Sequence, residues 1–191
     1  MGDTPFRWLN LEKLSRFLVP ELQLERIRYF TAIIPRRGDP QQQQQQRQQA
    51  YLRALRTIPS LSIHLGRFVT LPTRLPLAHP LPGGPKTVEV LRTEEKGSDV
   101  NLATWLLTDG CRGDADVAVV VSNDSDLIAP IEMARAELGL QVGVVITDPR
   151  TRRSVLPADF HRRIRARQLA ACQFPENMTD ARDTMQRPLG W

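Results

Sequence analysis

The chain has 191 residues, 41% of them apolar and 25% charged. That suits one folded domain with a real core and excludes both a disordered chain and two well-formed domains. No stretch reaches the roughly 18 consecutive apolar residues that a spanning helix needs. The start, MGDTPFRWLNLEKL, has neither a basic n-region nor an apolar h-region, so no membrane association or secretion is expected and a cytoplasmic location is. Net charge is +5, carried almost wholly by arginine. Guanidinium forks between Arg150 and Arg167 suit phosphate oxygens, although a solvated helix face reads the same way from charge alone. Cys111 and Cys172 lie far apart, and two reduced thiols are expected rather than a disulfide or metal pair.

Taken in chain order, Asn10 can cap a helix whose Leu11, Leu14 and Leu18 form one apolar face, and Pro20 stops it. Arg28–Pro35 reads as a strand, and Asp39-Pro40 opens a helix that runs to about Arg56. The glutamine run Gln41–Gln46 is a solvated helix start. Ser62–Thr70 is a strand candidate, and Leu71–Pro85 is crowded enough with proline and glycine to predict a surface loop. Thr87–Arg92 resumes the sheet, and Ser98 opens a helix to about Asp109. Val117–Val121 is a continuous apolar run, as a strand covered on both faces should be. Leu127–Leu138 is expected to be helical, Gly139 to end it, and Gln141–Ile146 to be a second fully buried strand. Phe160–Ala171 is expected to be a basic helix, and residues 175–191 an irregular tail after a domain spanning 1–174.

Strands alternating with helices through short links predict a mainly parallel, three-layer α/β/α sheet, with ligands beyond the carboxyl ends of the strands. Asp124 and Asp126 follow the Val117–Val121 strand directly and fall at that edge. Asp99 shares a helix face with Leu102, Ala103 and Leu106, which predicts that it points toward the sheet. Glu95 and Glu94 lie just upstream, with Gly97 allowing a tight bend. Carboxylates converging there would suit Mg²⁺ or Mn²⁺, which take oxygen ligands and bridge to phosphate. Glu95 could orient an attacking water. The alternative stays open, since Ser122, Asn123, Asp124, Ser125 and Asp126 are all good turn and cap residues.

Other chemistries lack their residues. No phosphate-binding glycine loop, nucleophile elbow or zinc-type Cys/His spacing is present. His64, His79 and His161 are scattered and read as structural or solvated. Asp148, in ITDPRT, reads as a turn former ahead of Pro149.

The run Glu95-Lys96-Gly97-Ser98-Asp99-Val100, then VVVSNDSDL, then the S-x-x-L-x-x-x-A-D-x-F-x-x-I segment resembles the NYN-domain family, a branch of the PIN-like metal-dependent ribonucleases. The resemblance runs from about Phe6 to about Pro175. It implies a Rossmann-like α/β/α fold, an Mg²⁺ or Mn²⁺ site, and RNA as partner and substrate. By residue it implies Asp99, Asp124 and Asp126 as metal ligands, Glu95 as a fourth catalytic acid, and Ser122, Asn123 and Lys96 in support. Arg150, Arg152, Arg153, Arg162 and Arg163 would contact the RNA backbone. One departure stands out: such proteins open on an apolar strand ending in aspartate, and here the first strand and its acid are missing, Asp3 following no apolar run. A start site set too far downstream is the expected cause. The competing expectations are a non-cutting RNA- or protein-binding module of the same fold and, more weakly, a phosphoesterase of small substrates.

Overall fold

The computed structural model describes residues 5–35, 38–147 and 155–189. In chain order it contains α1 (Leu11–Leu18), β1 (Ile27–Ala32), α2 (Gly38–Leu55), β2 (Leu61–Pro76), β3 (Thr87–Lys96), α3 (Ser98–Arg112) and β4 (Val117–Val121). A 3-10 turn (Ser125–Leu127) leads into α4 (Ile128–Ala136), followed by β5 (Gln141–Ile146), β6 (Phe160–Arg163), α5 (Ala166–Ala171), β7 (Asn177–Thr179) and β8 (Thr184–Gln186).

The α/β expectation holds, with mostly parallel strands between helical layers. β4, β5 and β6 form one parallel sheet, and β1 pairs parallel with the first six residues of β2. Val120, Val142 and Val144 face Leu106 of α3 and Leu127 and Ile131 beside α4. Val119 and Val145 point the other way, onto Leu14 and Leu18 of α1 and Leu169 of α5. This two-sided burial explains the continuous apolar run of β5, whose last five residues are all buried. A second cluster gathers Trp8, Leu52, Leu55, Phe174 and Met185 around Tyr29 and Ile63. Each such large side chain contributes roughly 1.5–3 kcal/mol on burial.

Among the described residues no strand joins β1 to β4, so the parallel array is broken into two halves at its middle. The helical layers cross the break. α3 packs Leu106 beside Val120 on one half and holds Arg28 of β1 on the other, through two 2.7 Å bonds to Asp109. That guanidinium also lies 3.8 Å from the centroid of the Trp105 ring, so charge pairing and a cation–π contact reinforce one link.

Four expectations need correction. β4 packs on both faces but less completely than its unbroken apolar run predicts: only Val120 is buried and Val121 is 51% exposed, in a strand that pairs with β5 on one edge and with no strand of the described residues on the other. Much of the expected proline loop is strand. From Arg67 to Pro76, β2 pairs antiparallel with β3 in a projecting two-stranded ribbon. Pro72 and Pro76 sit four apart and present their missing N–H groups to the same edge, and the edge away from β3 has no partner there among the described residues. Phe160–Arg163 is strand, not helix. It completes the edge of β5, where Phe160 lies so close to Gly143 that a Cβ at Gly143 would meet its ring at 2.2 Å. The tail is not irregular: β7 and β8 form a hairpin. Met185 is buried in the Trp8 cluster, and Trp8 Nε1 donates to the Pro175 carbonyl at 2.8 Å.

Candidate active site

Two glycines set the first half of the site. β3 ends at Lys96, and Gly97 takes a φ of 104°, a left-handed conformation that lets α3 start at once with Ser98. Gly66 of β2 lies against this junction. A Cβ there would come within 2.3 Å of Glu95 Oε1 and 2.7 Å of the Lys96 carbonyl. Glu95 folds over the helix start and accepts from Ser98 N at 3.2 Å and Ser98 Oγ at 3.0 Å. It therefore caps α3, a local role its position in the E-K-G-S-D run does not reveal.

Asp99 stands in the first turn of α3. It is exposed at the helix rim rather than turned into the core, which corrects the expectation from its apolar neighbours. Its carboxyl is nonetheless held above the usual aspartate range, first by partial desolvation and then by the nearby charges of Asp124, Glu95 and Asp126. Asp99 therefore lies within electrostatic reach of Glu95 beside it and of Asp124 and Asp126 after β4. Neither Asp99 nor Asp126 makes a side-chain hydrogen bond or ion pair among the described residues. Lys96, the cation nearest in sequence, turns to Glu94 at 2.7 Å, and Arg92 holds the same carboxylate at 2.6 Å. With Lys96 foremost, these bonds keep the Glu94 carboxyl below its ordinary range.

The loop after β4 is braced rather than loose. Ser122 Oγ accepts from Asp124 N at 3.1 Å, and Asp124 Oδ1 accepts from Asp126 N at 3.0 Å. Asn123 donates to Thr147 Oγ1 at 2.7 Å, which ties the loop to the end of β5. Thr147 was not singled out from sequence, and no local signal marks it. Asp124 is the cap of the 3-10 turn, so the cap reading of this segment is realised at Asp124 and not at Asp126. One oxygen of Asp124 serves that cap by accepting from Asp126 N.

An all-oxygen donor set of this kind suits a hard divalent cation. As arranged, no three of the His, Cys, Asp and Glu side chains among the described residues stand close enough to hold a metal ion together. One or two carboxylates with retained waters is the fit the geometry supports, and that is the usual way of holding Mg²⁺.

Of the arginines expected to meet RNA, Arg150, Arg152 and Arg153 lie outside the described residues, as does Asp148. Arg162 bonds to Glu21 and covers the Phe160 ring at 4.9 Å, so structure already occupies it. Arg163 ends β6, two strands from β4 and roughly 10 Å to the side at ordinary strand spacing. Behind the site, His64 lies between Phe30 and Trp105 with centroids 5.1 and 5.0 Å away. Burial, then the neighbouring Arg28, holds it below the usual histidine range. No helix among the described residues is long and apolar enough to cross a membrane.

Comparison with known proteins agrees with this architecture. The family model described as NYN domain matches residues 3–164. The chain is also 29% identical over 224 aligned positions to 6-hydroxy-3-succinoylpyridine 3-monooxygenase HspA of Pseudomonas putida, covering 100% of this chain and 70% of that protein. No solved structure matches. PIN-like nucleases of this kind use divalent metal ions, and family members bind RNA. With the matched segment, the fold and the order of acidic motifs in agreement, the chain belongs to the NYN-domain family, a PIN-like, nuclease-related group.

Proposed function

We propose that the protein hydrolyses RNA phosphodiester bonds at the Glu95/Asp99/Asp124/Asp126 rim, with Mg²⁺ or Mn²⁺ bound. The observation that carries this reading is the set of four acids whose charges meet at Asp99, two of them without a protein partner among the described residues. Like charges so placed repel unless a cation joins them. One or two of Asp99, Asp124 and Asp126, with retained waters, would hold that cation, which when bound supplies an activated water and neutralises charge on the phosphoryl oxygens. Ser122 and Asn123 fix the Asp124 loop against β5. Glu95, with one oxygen on Ser98, keeps the other available to orient a water. Arg163 and the Arg150–Arg153 segment would hold the backbone away from the cut.

The test is Asp124→Asn in the full chain. Mn²⁺-dependent cleavage of a labelled RNA should be lost while the melting temperature in EDTA stays within about 2 °C of wild type, since only an exposed cap is weakened. Cleavage that survives the change rules the assigned role out. RNA binding without cleavage in wild-type protein, even in millimolar Mn²⁺, would favour the non-cutting module. The relative's name supports a second reading, oxygenation of a substituted pyridine. Incubation with 6-hydroxy-3-succinoylpyridine, dioxygen and a reduced nicotinamide, followed by its loss of absorbance, tests that directly.

A further inference from the structure

We infer that the site-side face of the β2–β3 ribbon is a binding track for single-stranded RNA that leads into the acids. This rests on the ribonuclease reading above. Directly opposed residues of an antiparallel pair share a face, and Phe68 opposes Glu95. The same face therefore carries Thr70 with Thr93, Pro72 with Leu91, and Arg74 with Glu89 at steps of about 6.8 Å. α3 starts at the ribbon root and packs back over β1 and β2, leaving this face bare beyond Phe68. Leu91 is 72% exposed there, and Pro72 and Arg74 are exposed beside it.

The chemistry of that face changes stepwise away from the acids. Phe68 offers a half-buried ring next to Glu95. Thr70 and Thr93 place two hydroxyls 2.8 Å apart, and Pro72 with Leu91 gives a flat apolar step. Arg74 stands opposite Glu89 yet forms no ion pair or hydrogen bond among the described residues, so its guanidinium is available to a phosphate. Arg74 is the cation of this face, since the register places Arg67, Arg92 and Lys96 on the opposite one. Ring and apolar faces for bases, hydroxyls for sugars and a spaced guanidinium are how sheet surfaces hold single strands. Two strands about 4.8 Å apart are too narrow to cradle a duplex but match one chain. The opposite face, with Leu71 and Val88 60% and 43% exposed, points away from the acids and serves as the control.

Fluorescence anisotropy in EDTA, where no cleavage occurs, tests the track with a labelled 12-nucleotide uridine-rich single strand and a hairpin duplex. Leu91→Glu and Arg74→Glu should each weaken single-strand binding about fivefold or more, while Leu71→Glu stays within about twofold. A 4-thiouridine-labelled strand should crosslink to the peptide holding Leu91 in wild-type protein, which needs no variant to fold. Equal effects of Leu91→Glu and Leu71→Glu, or none, overturn the track while leaving the ribonuclease reading intact. So does duplex binding as tight as single-strand binding, or crosslinking elsewhere. A fall in solution mass on Leu91→Glu with RNA affinity unchanged would assign the ribbon to self-association instead. Wild-type protein that binds no RNA at all refutes the ribonuclease reading itself.

Discussion

Gly66→Ala should disturb the site through packing alone, without touching a charged group. The added Cβ would lie 2.3 Å from Glu95 Oε1, 2.7 Å from the Lys96 carbonyl and 3.2 Å from Ser98 N. The first contact is a flexible side-chain end, but the second is backbone in a hydrogen-bonded strand and cannot swing aside. Overpacking of this kind costs about 1–3 kcal/mol. Displacing Glu95 also weakens its bonds to Ser98 N and Oγ, at about 0.5–1.5 kcal/mol each when lost. A total near 2–4 kcal/mol corresponds to a melting temperature roughly 4–16 °C lower for a chain of this length. Differential scanning fluorimetry reads this, and RNA cleavage in Mn²⁺ should fall as well. Glu95→Ala in the same background relieves the side-chain clash but not the backbone one, so the double variant should recover only part of the loss. Gly113→Ala is the control. Its φ of 66° strains any Cβ, yet nothing lies within 4 Å, so it should lower stability without changing activity per folded molecule. The reasoning fails if Gly66→Ala melts within a degree of wild type, or if Gly113→Ala alters turnover equally.

Three further outcomes follow from the same geometry. Because the folded state holds the Asp99 proton more tightly than the unfolded chain, ionisation of Asp99 opposes folding as pH rises above its ordinary value of 3.8. At pH 7 in EDTA, Asp99→Asn should therefore melt no lower than wild type, and millimolar Mn²⁺ should raise the wild-type melting temperature only; a lower-melting variant in EDTA contradicts this. Asp159 behaves oppositely. The Arg135 fork, helped by the Val142 amide, lowers its carboxyl from 3.8 to about 2, so its stabilisation is present above 3.8 and lost as pH falls toward 2. Acid titration of Arg135→Gln should show a shallower loss across that interval, and an unchanged slope would remove Asp159 from the account. Ending the chain after Pro175 deletes buried Met185 and the Arg53 fork onto Asp180, whose two bonds measure 2.6 Å. A loss of about 2–5 kcal/mol is expected in urea unfolding; full stability would mean that the hairpin is an appendage.

Sequence carried the elements whose cause is local. Asn10 accepts from Lys13 N at 2.9 Å as a cap should, and the burial of β5 matches its unbroken apolar run. The acids were legible as candidates because their motifs fall at strand and helix ends, whereas the electrostatic reach of Asp124 and Asp126 to Asp99 depends on the fold. What failed depends on distant partners. Phe160–Arg163 is a strand because β5 offers an edge and Gly143 leaves room for a ring. The prolines of β2 are tolerated because one edge of the ribbon is empty. Met178 and Met185 pack on a core assembled from residues more than a hundred positions away. Glu95 was legible as an acid, but its use as a helix cap hangs on the rotamer Gly66 allows.

The break between β1 and β4 gives the molecule an uneven mechanical character. Within each half, backbone ladders fix the strands. Across the middle, the described residues are joined by side chains: the Arg28–Asp109 link, Arg26 onto Asp109 and Asp114, and the packing of α1 and α3. Glu95 and Asp99 ride on one side of that seam, Asp124 and Asp126 on the other. Among the described residues, the separation between the two acid pairs is thus set by side-chain packing and not by a backbone ladder. A divalent ion seated there would be drawing two plates together against packing, not stretching a hydrogen-bonded sheet.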